Sequence, residues 1–326
     1  MSTALDFSTR YLGLTLRSPL VASAGPLTSS IAGITQLAEA GVGAVVLPSL
    51  FEEQLRPEEG HGQLQTYFRD PDGPGGRDWP RRYMTLIAQA AETGIPVIAS
   101  LNGVAPGNWT DDAATMEAAG ASAIELNVYY LPGDALIPAR DAERRYTEIL
   151  TTVKAVVSVP VAMKLAPFFS SLGEMAVVLD HAGADGLVLF NRFMQPDIDP
   201  ETFTVSTGFR LSVPAEAALP RAWIARLHGL VRCSLAASTG VDSAADVAAY
   251  LLAGADVVMT TSALLRHGPA HARVLLDGLE EWLQRKGFTY LDAVRGLLAK
   301  PSESEPAYGR AGYLSAIEQA SHAYSR

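Results

Sequence analysis

Four times in this chain an Ala-Gly pair is followed by one to three small or polar residues and then a short apolar run. The four are AGVGAVVLPS (40–49), AGASAIELN (119–127), AGADGLVLFN (182–191) and AGADVVMTTS (253–262). Glycine takes the left-handed backbone shape that stops a helix without a steric penalty. Each repeat therefore predicts a helix end followed at once by a strand. Short runs of this kind, rich in β-branched residues and not alternating with polar ones, are the mark of parallel strands covered on both faces.

Four further apolar runs lie between the repeats: SPLVASAG (18–25), IPVIASLN (95–102), VPVAMKLA (159–166) and VRCSLAAST (231–239). Three are opened by proline, which suits the first residue of a strand, where no ladder donor is needed. Interleaving the two sets predicts eight strands, over 19–24, 44–48, 96–101, 123–128, 160–165, 186–190, 233–238 and 256–260. Helical patterns such as PRRYMTLIAQAAET, LGEMAVVLDHAG and SAADVAAYLLAG fill every gap, and HARVLLDGLEEWLQRKG follows strand eight. Eight alternations predict an α/β fold, a (β/α)8 TIM barrel. The rival is an open doubly wound sheet, which usually has fewer strands, and no G-x-G-x-x-G follows strand one. The 326 residues suit one decorated barrel, since the bare fold needs roughly 250. No linker composition interrupts them, so one domain over 1–326 is expected, with its core at about 8–300. Long connections at 49–80 and 191–218 follow strands two and six, which puts both on the rim where barrels carry their chemistry. Thr9 to Arg17 predicts a hairpin on the barrel floor, and Gly312 to Ala323 a last helix.

The formal charge of −10 argues against nucleic acid as a partner, because phosphate backbones are met by clustered Lys and Arg. No stretch approaches the about 20 apolar residues of a membrane span. MSTALDFSTRYLG carries no secretion signal, so a cytoplasmic setting is expected. The single cysteine, Cys233, reads as part of a buried strand and as inert. His267 and His271 have the spacing of one helix face, with no carboxylate nearby to complete a metal set.

Polar residues at strand carboxyl ends are the candidates for chemistry. Lys164 lies inside an apolar strand, VAMKLAPFF, where its charge needs a partner. It could form an internal ion pair with Glu125 on the next strand, act as a Schiff-base lysine, or face an anionic cofactor. Thr239-Gly240 and Thr261-Ser262, after strands seven and eight, predict the barrel phosphate cradle. Asn102, Asn127 and Asn191 end three different strands. A ring of amides suits a flat ligand with alternating donors and acceptors, such as a pyrimidine or an isoalloxazine.

These residues resemble the class 1 dihydroorotate dehydrogenase family of FMN barrels. The matching pieces are SPLVASAG, ELNVYY, VAMKLAPFF, LFN and STGVDSAADVAAYLLAGADVVMTTSALLRHGP, spread over about residues 8–300. The resemblance implies FMN as cofactor. Ala24 and Gly25 would lie against it, and Ser49, Asn102, Asn127 and Asn191 would contact it. Lys164 would face the N1–O2 edge of the ring, and Thr239, Gly240, Thr261 and Ser262 would hold the phosphate. It also implies a small-molecule substrate bound by Asn127 and Asn191, oxidation of dihydroorotate to orotate, and a cytosolic homodimer.

The chain departs from the family pattern where the substrate would sit. Pro48 stands where the family has lysine after strand two, and no Gly-Asn-Pro follows in FEEQLRPEEGHGQ. Tyr130 stands at the Cys or Ser that serves as catalytic base; a tyrosine, with an ordinary pKa of about 10, is a poor base unless shifted. Arg192 replaces a small residue after the strand-six asparagine. The expectations are therefore an FMN oxidoreductase with Tyr130 as acid/base, or a flavin enzyme acting on another small carboxylate or cyclic amide gripped by Arg192. A flavin-free phosphate-binding barrel, as a lyase or a binding protein, is the alternative. With no iron–sulfur cysteines and no NAD motif, the electron acceptor stays open among fumarate, a quinone and a partner protein.

Overall fold

The computed structural model describes residues 5–55, 78–105, 109–131, 133–193, 196–206, 208, 210–299 and 305–324. Eight parallel strands close into a barrel: β1 (Leu20–Ala22), β2 (Ala44–Val46), β3 (Val97–Gly103), β4 (Ala123–Val128), β5 (Val161–Leu165), β6 (Gly186–Leu189), β7 (Ser234–Ala237) and β8 (Val257–Thr260). Closure is made by β8 pairing with β1, Val258 opposite Leu20, and by β2 pairing with β3, Val45 opposite Val97. Each predicted strand is present within two residues of its expected ends.

The helices follow in register: α1 (Ile31–Glu39), α2 (Trp79–Ala91), α3 (Thr110–Ala118), α4 (Ala139–Lys154), α5 (Leu172–His181), α6 (Ala218–Leu227), α7 (Ala244–Ala253) and α8 (His271–Lys286). The repeat glycines do what the pattern demanded. Gly41, Gly120, Gly183 and Gly254 all have positive φ, between 97° and 112°, and each turns the chain from a helix end into the next strand.

The hydrophobic material forms two shells. The larger packs the helices on the outside of the strands. The smaller fills the barrel bore with Val21, Val46, Ile98, Val188, Val257 and Met259 around Tyr11, Leu12 and Leu16. Those last three belong to a hairpin, Thr9–Tyr11 paired with Leu14–Leu16. The floor plug predicted at the N-terminus is thus present, and side chains can leave the bore only at the opposite end.

The loop expected after strand two falls mostly outside the described residues, at 56–77. The described part of the loop after β6 carries an antiparallel ribbon, Asp197–Asp199 with Thr204–Ser206. The last helix runs over Glu305–Tyr324. Among the described residues no helix is long and apolar enough to cross a membrane.

Two smaller expectations need correction. Cys233 lies one residue before β7 and is half-buried, not within the strand. Burial and the neighbouring Asp180 push its thiol well above the ordinary range, which keeps it protonated and unreactive. His267 and His271 do not share a helix. His267 ends the short helix Ser262–His267 and His271 opens α8, because Gly268, with φ of 84°, breaks the chain between them.

Candidate functional site

A cavity of about 300 Å³ opens at the carboxyl ends of β7, β8, β1, β5 and β6. Nine of the residues singled out from sequence line it: Ala24, Gly25, Lys164, Asn191, Arg192, Thr239, Gly240, Thr261 and Ser262. The wall at β1, β7 and β8 includes two glycines where no side chain would fit. A Cβ on Gly25 would collide with Thr261 Oγ1. One on Gly240, which has φ of +71°, would come within 2.6 Å of the Ala217 backbone nitrogen. Glycine is needed at both places because neighbouring parts of the chain, Thr261 and Ala217, press directly on the backbone there.

Next to Gly240, Thr239 also has positive φ, 81°. A β-branched residue in that region stores strain of roughly 1–3 kcal/mol unless its surroundings hold it there. Neighbouring groups hold it there. Tyr250 Oη, from α7, donates to Thr239 O at 2.7 Å, and Ser238 Oγ donates to Phe190 O at 2.7 Å. Ser212 comes in from the loop after β6. Its backbone NH and hydroxyl both reach Ser262 Oγ at 3.0 Å, and the guanidinium of Arg266 donates to its carbonyl. Ser212 and Tyr250 were not singled out from the sequence. They approach over 50 and 11 residues of chain, and neither sits at a strand end.

At the other end of the cavity stands Lys164. The strand register places Asn102, Asn127 and Lys164 as consecutive partners across β3, β4 and β5, so all three occupy one tier at the top of the bore. Lys164 Nζ reaches down one tier to Glu125 Oε1 at 3.3 Å. Glu125 is 1% exposed, and its second oxygen has no hydrogen-bond partner among the described residues. The predicted internal ion pair therefore exists, and its lysine also lines the cavity. A Schiff-base lysine needs a free amine lone pair; this one is engaged by a carboxylate. Asn191 Nδ2 donates to Asn127 Oδ1 at 2.7 Å, which links the cavity wall to the amide of β4.

The remaining candidates lie apart from the cavity. Ser49 Oγ is 2.8 Å from Ser100 Oγ. After Pro48 the chain runs beside β3, Leu50 opposite Leu101. There the buried Glu52 accepts from the amides of Val104 and Ala105. Asn102 is buried, 7% exposed, in its tier. Tyr130 packs against the outer shell, with the Arg145 guanidinium 4.2 Å over its ring. Its hydroxyl is buried without a partner among the described residues. Its neighbour Tyr129 is the one exposed at the mouth, stacked on Phe193. Arg192 does line the cavity, but its nitrogens are engaged. Nε and a terminal nitrogen contact Glu216 Oε1 at 3.1 and 3.0 Å, and Nη1 donates to Arg210 O. The expected carboxylate grip would have to displace Glu216.

A flavin mononucleotide fits what is present. The glycine-walled end offers the close backbone approach that a phosphate requires. The lysine at the far end offers a cation where a flavin ring would accumulate negative charge. The chain is similar to known proteins along most of its length. Residues 74–283, well over half the chain, match the dihydroorotate dehydrogenase family. A candidate dihydroorotate dehydrogenase A (fumarate) of Aeropyrum pernix is 30% identical over 89% of this chain and 97% of its own length. The catalytic subunit of dihydroorotate dehydrogenase B (NAD(+)) of Methanocella arvoryzae is 30% identical over 87% of this chain and 95% of its own. The corresponding subunit of Pyrococcus furiosus is 24% identical over 91% and 100%. The chain belongs to the dihydroorotate dehydrogenase family, a family of flavin-dependent oxidoreductases.

Proposed function

We propose that this protein is an FMN-dependent dehydrogenase acting on a CH–CH bond of a small cyclic substrate. The conversion of dihydroorotate to orotate, a step of pyrimidine biosynthesis, is the first reaction to test. The observation that carries this reading is one cavity lined together by Gly25, Gly240, Thr261 and Ser262 and by the lysine Lys164. FMN, when bound, supplies the two-electron acceptor.

The chain's own residues do the rest. Thr239, Gly240, Thr261 and Ser262 would hold the FMN phosphate, and Ala24 and Gly25 would lie against the cofactor. The Lys164 ammonium stabilises negative charge along the edge it faces. Asn127 and Asn191, already bonded to each other, present a paired donor and acceptor to the substrate. Asn102, one strand away in the same tier, extends that row. Ser49, bonded to Ser100, lies outside the cavity.

A second reading keeps the flavin and changes the substrate. It is favoured by two positions: Arg192, whose nitrogens are engaged by Glu216 and Arg210 O, and Tyr130, whose ring packs under Arg145 outside the cavity. A substrate that needs neither a strong carboxylate grip nor a proton acceptor at Tyr130 meets this site better than dihydroorotate does.

The test is titration of the purified protein with FMN, followed by anaerobic addition of dihydroorotate. Quenched flavin fluorescence with bleaching on dihydroorotate supports the first reading. Quenching without bleaching supports the second. Failure to bind FMN at all overturns both. A cytoplasmic homodimer is also proposed, on the family resemblance, and sedimentation velocity would test the dimer.

A further inference from the structure

On the outer side of Asn191 and Arg192 lies a second cavity, of about 320 Å³. It shares Phe190, Asn191, Arg192 and Thr239 with the cofactor cavity. Beyond that shared wall it is mainly apolar. Phe168 comes from the end of β5, Phe193 from the end of β6, and Leu219 and Pro220 from the start of α6. The aromatic character continues past its lip. Phe168 meets Phe193 edge to face with centroids 5.3 Å apart, and Tyr129 stacks on Phe193 at 4.4 Å with planes 18° apart. Three consecutive strands thus end in one connected row of rings. Phe168 is 47% exposed and Leu219 50%. Single exposed apolar side chains are ordinary; a connected row at the lip of a concavity beside a cofactor cavity marks a ligand site.

The charge at this wall decides the class of ligand. Arg192 and Glu216, which both line the cavity, are paired with each other. An anion entering here would have to compete with Glu216 for Arg192, and a cation with Arg192 for Glu216. A neutral ring disturbs neither and buries its faces against Phe168, Phe193 and Leu219.

We infer that this cavity binds a planar, uncharged, conjugated ring, presented either by the substrate or by the molecule that reoxidises the cofactor. Its placement beside the reacting centre rests on the flavin reading; the binding itself does not. The probes are methylnaphthalene, menadione and the anionic naphthalenesulfonate, added to the full-length protein with and without FMN and followed by saturation-transfer NMR. Both neutral probes bind and the anion binds less well. Leu219→Arg, which changes a half-exposed residue outside the cofactor cavity, weakens the neutral probes by about tenfold and leaves FMN affinity unchanged. Phe168→Ala weakens them by a smaller factor.

The absence of transfer to either neutral probe, binding unchanged in both variants, or an anion bound as well as the neutral rings overturns the inference. A further arm assigns the source of the ring. FMN-loaded protein is reduced anaerobically and mixed with menadione. Reoxidation that saturates with menadione and slows in Leu219→Arg assigns the site to the acceptor. Binding without that dependence assigns it to the substrate. If FMN fails to bind, the flavin reading falls, while the ring-binding result still decides the cavity.

Discussion

Around β7, β8 and β1 the mouth of the barrel is packed about glycines that no side chain could replace; around β2, β3 and β4 it is held by individual side-chain contacts. On the first side Gly25 and Gly240 leave room for backbone, and Thr239 is held in a strained conformation by Tyr250. On the second side Ser49 bonds to Ser100, Glu52 folds over the end of β3, and Tyr130 turns into the helical shell under Arg145. A main-chain site constrains many residues at once, because each glycine and small hydroxyl has to fit its neighbours. A side-chain site can be rewritten one residue at a time without disturbing the barrel. That is a physical reason why the cavity wall and the Ser49–Tyr130 side of the mouth can vary independently.

The largest expected effect is at Lys164, which joins the two sides. Lys164→Met removes the cation from the cofactor cavity and leaves Glu125 buried without its partner. Stranding a buried charge costs about 3–5 kcal/mol, so the melting temperature falls. The flavin midpoint potential falls too, by several tens of millivolts, since about 30 mV of a two-electron couple corresponds to roughly 1.4 kcal/mol. Flavin reduction slows by about 10²–10³, the scale of losing one preorganised electrostatic contact. The double variant Lys164→Met/Glu125→Gln separates the effects: it recovers stability and keeps the lowered potential. A single variant with an unchanged potential would mean that Lys164 serves the ion pair alone.

Next in size is Gly240→Ala. Alanine at φ of +71°, with its Cβ 2.6 Å from the Ala217 nitrogen, forces the loop at Pro214–Ala217 away from β7. FMN affinity is expected to drop by at least about tenfold, which is about 1.4 kcal/mol, with a smaller loss of thermal stability. Fluorescence titration measures the first and calorimetry the second. Undiminished affinity would remove the cradle from the cofactor's account and with it the contrast between the two sides.

What could be read from the sequence follows the same division. The barrel was legible because the Ala-Gly repeat fixes both a helix end and a strand start, and the four repeat glycines do have positive φ. That Thr239, Gly240, Thr261 and Ser262 line one cavity was legible because strand-end residues project from known positions in a parallel barrel. The Lys164–Glu125 pair could be named as one option because neighbouring strands in register bring positions 125 and 164 close. Three things were not legible. Ser212 and Tyr250 arrive from a loop and a helix whose approach depends on packing. The pairing of Arg192 with Glu216 joins residues 24 apart across a ribbon. The direction of Tyr130 depends on which of two adjacent tyrosines turns inward, and the dipeptide alone does not say.

Tyr130→Phe has the smallest expected effect and sharpens the contrast most. The hydroxyl is buried and has no hydrogen-bond partner among the described residues. An unsatisfied buried polar group costs about 1–3 kcal/mol, so phenylalanine is expected to leave stability unchanged or raise it slightly. The ring remains under Arg145, preserving that contact. Because Tyr130 does not line the cofactor cavity, the rate of flavin reduction by the true substrate should change by less than about twofold, which is well under 1 kcal/mol. Its pH profile should be unmoved. A loss of tenfold or more, with a pH profile that flattens on the basic side, would instead give Tyr130 the proton transfer. It would also mean that the loop after β4 swings to bring Tyr130 out of the helical shell and into the mouth in place of Tyr129 when the substrate binds. Tyr129→Ala distinguishes that rearrangement from the observed arrangement: it should disturb the Phe193 stack if Tyr129 stays at the mouth, and leave flavin reduction by the substrate untouched if Tyr130 takes its place.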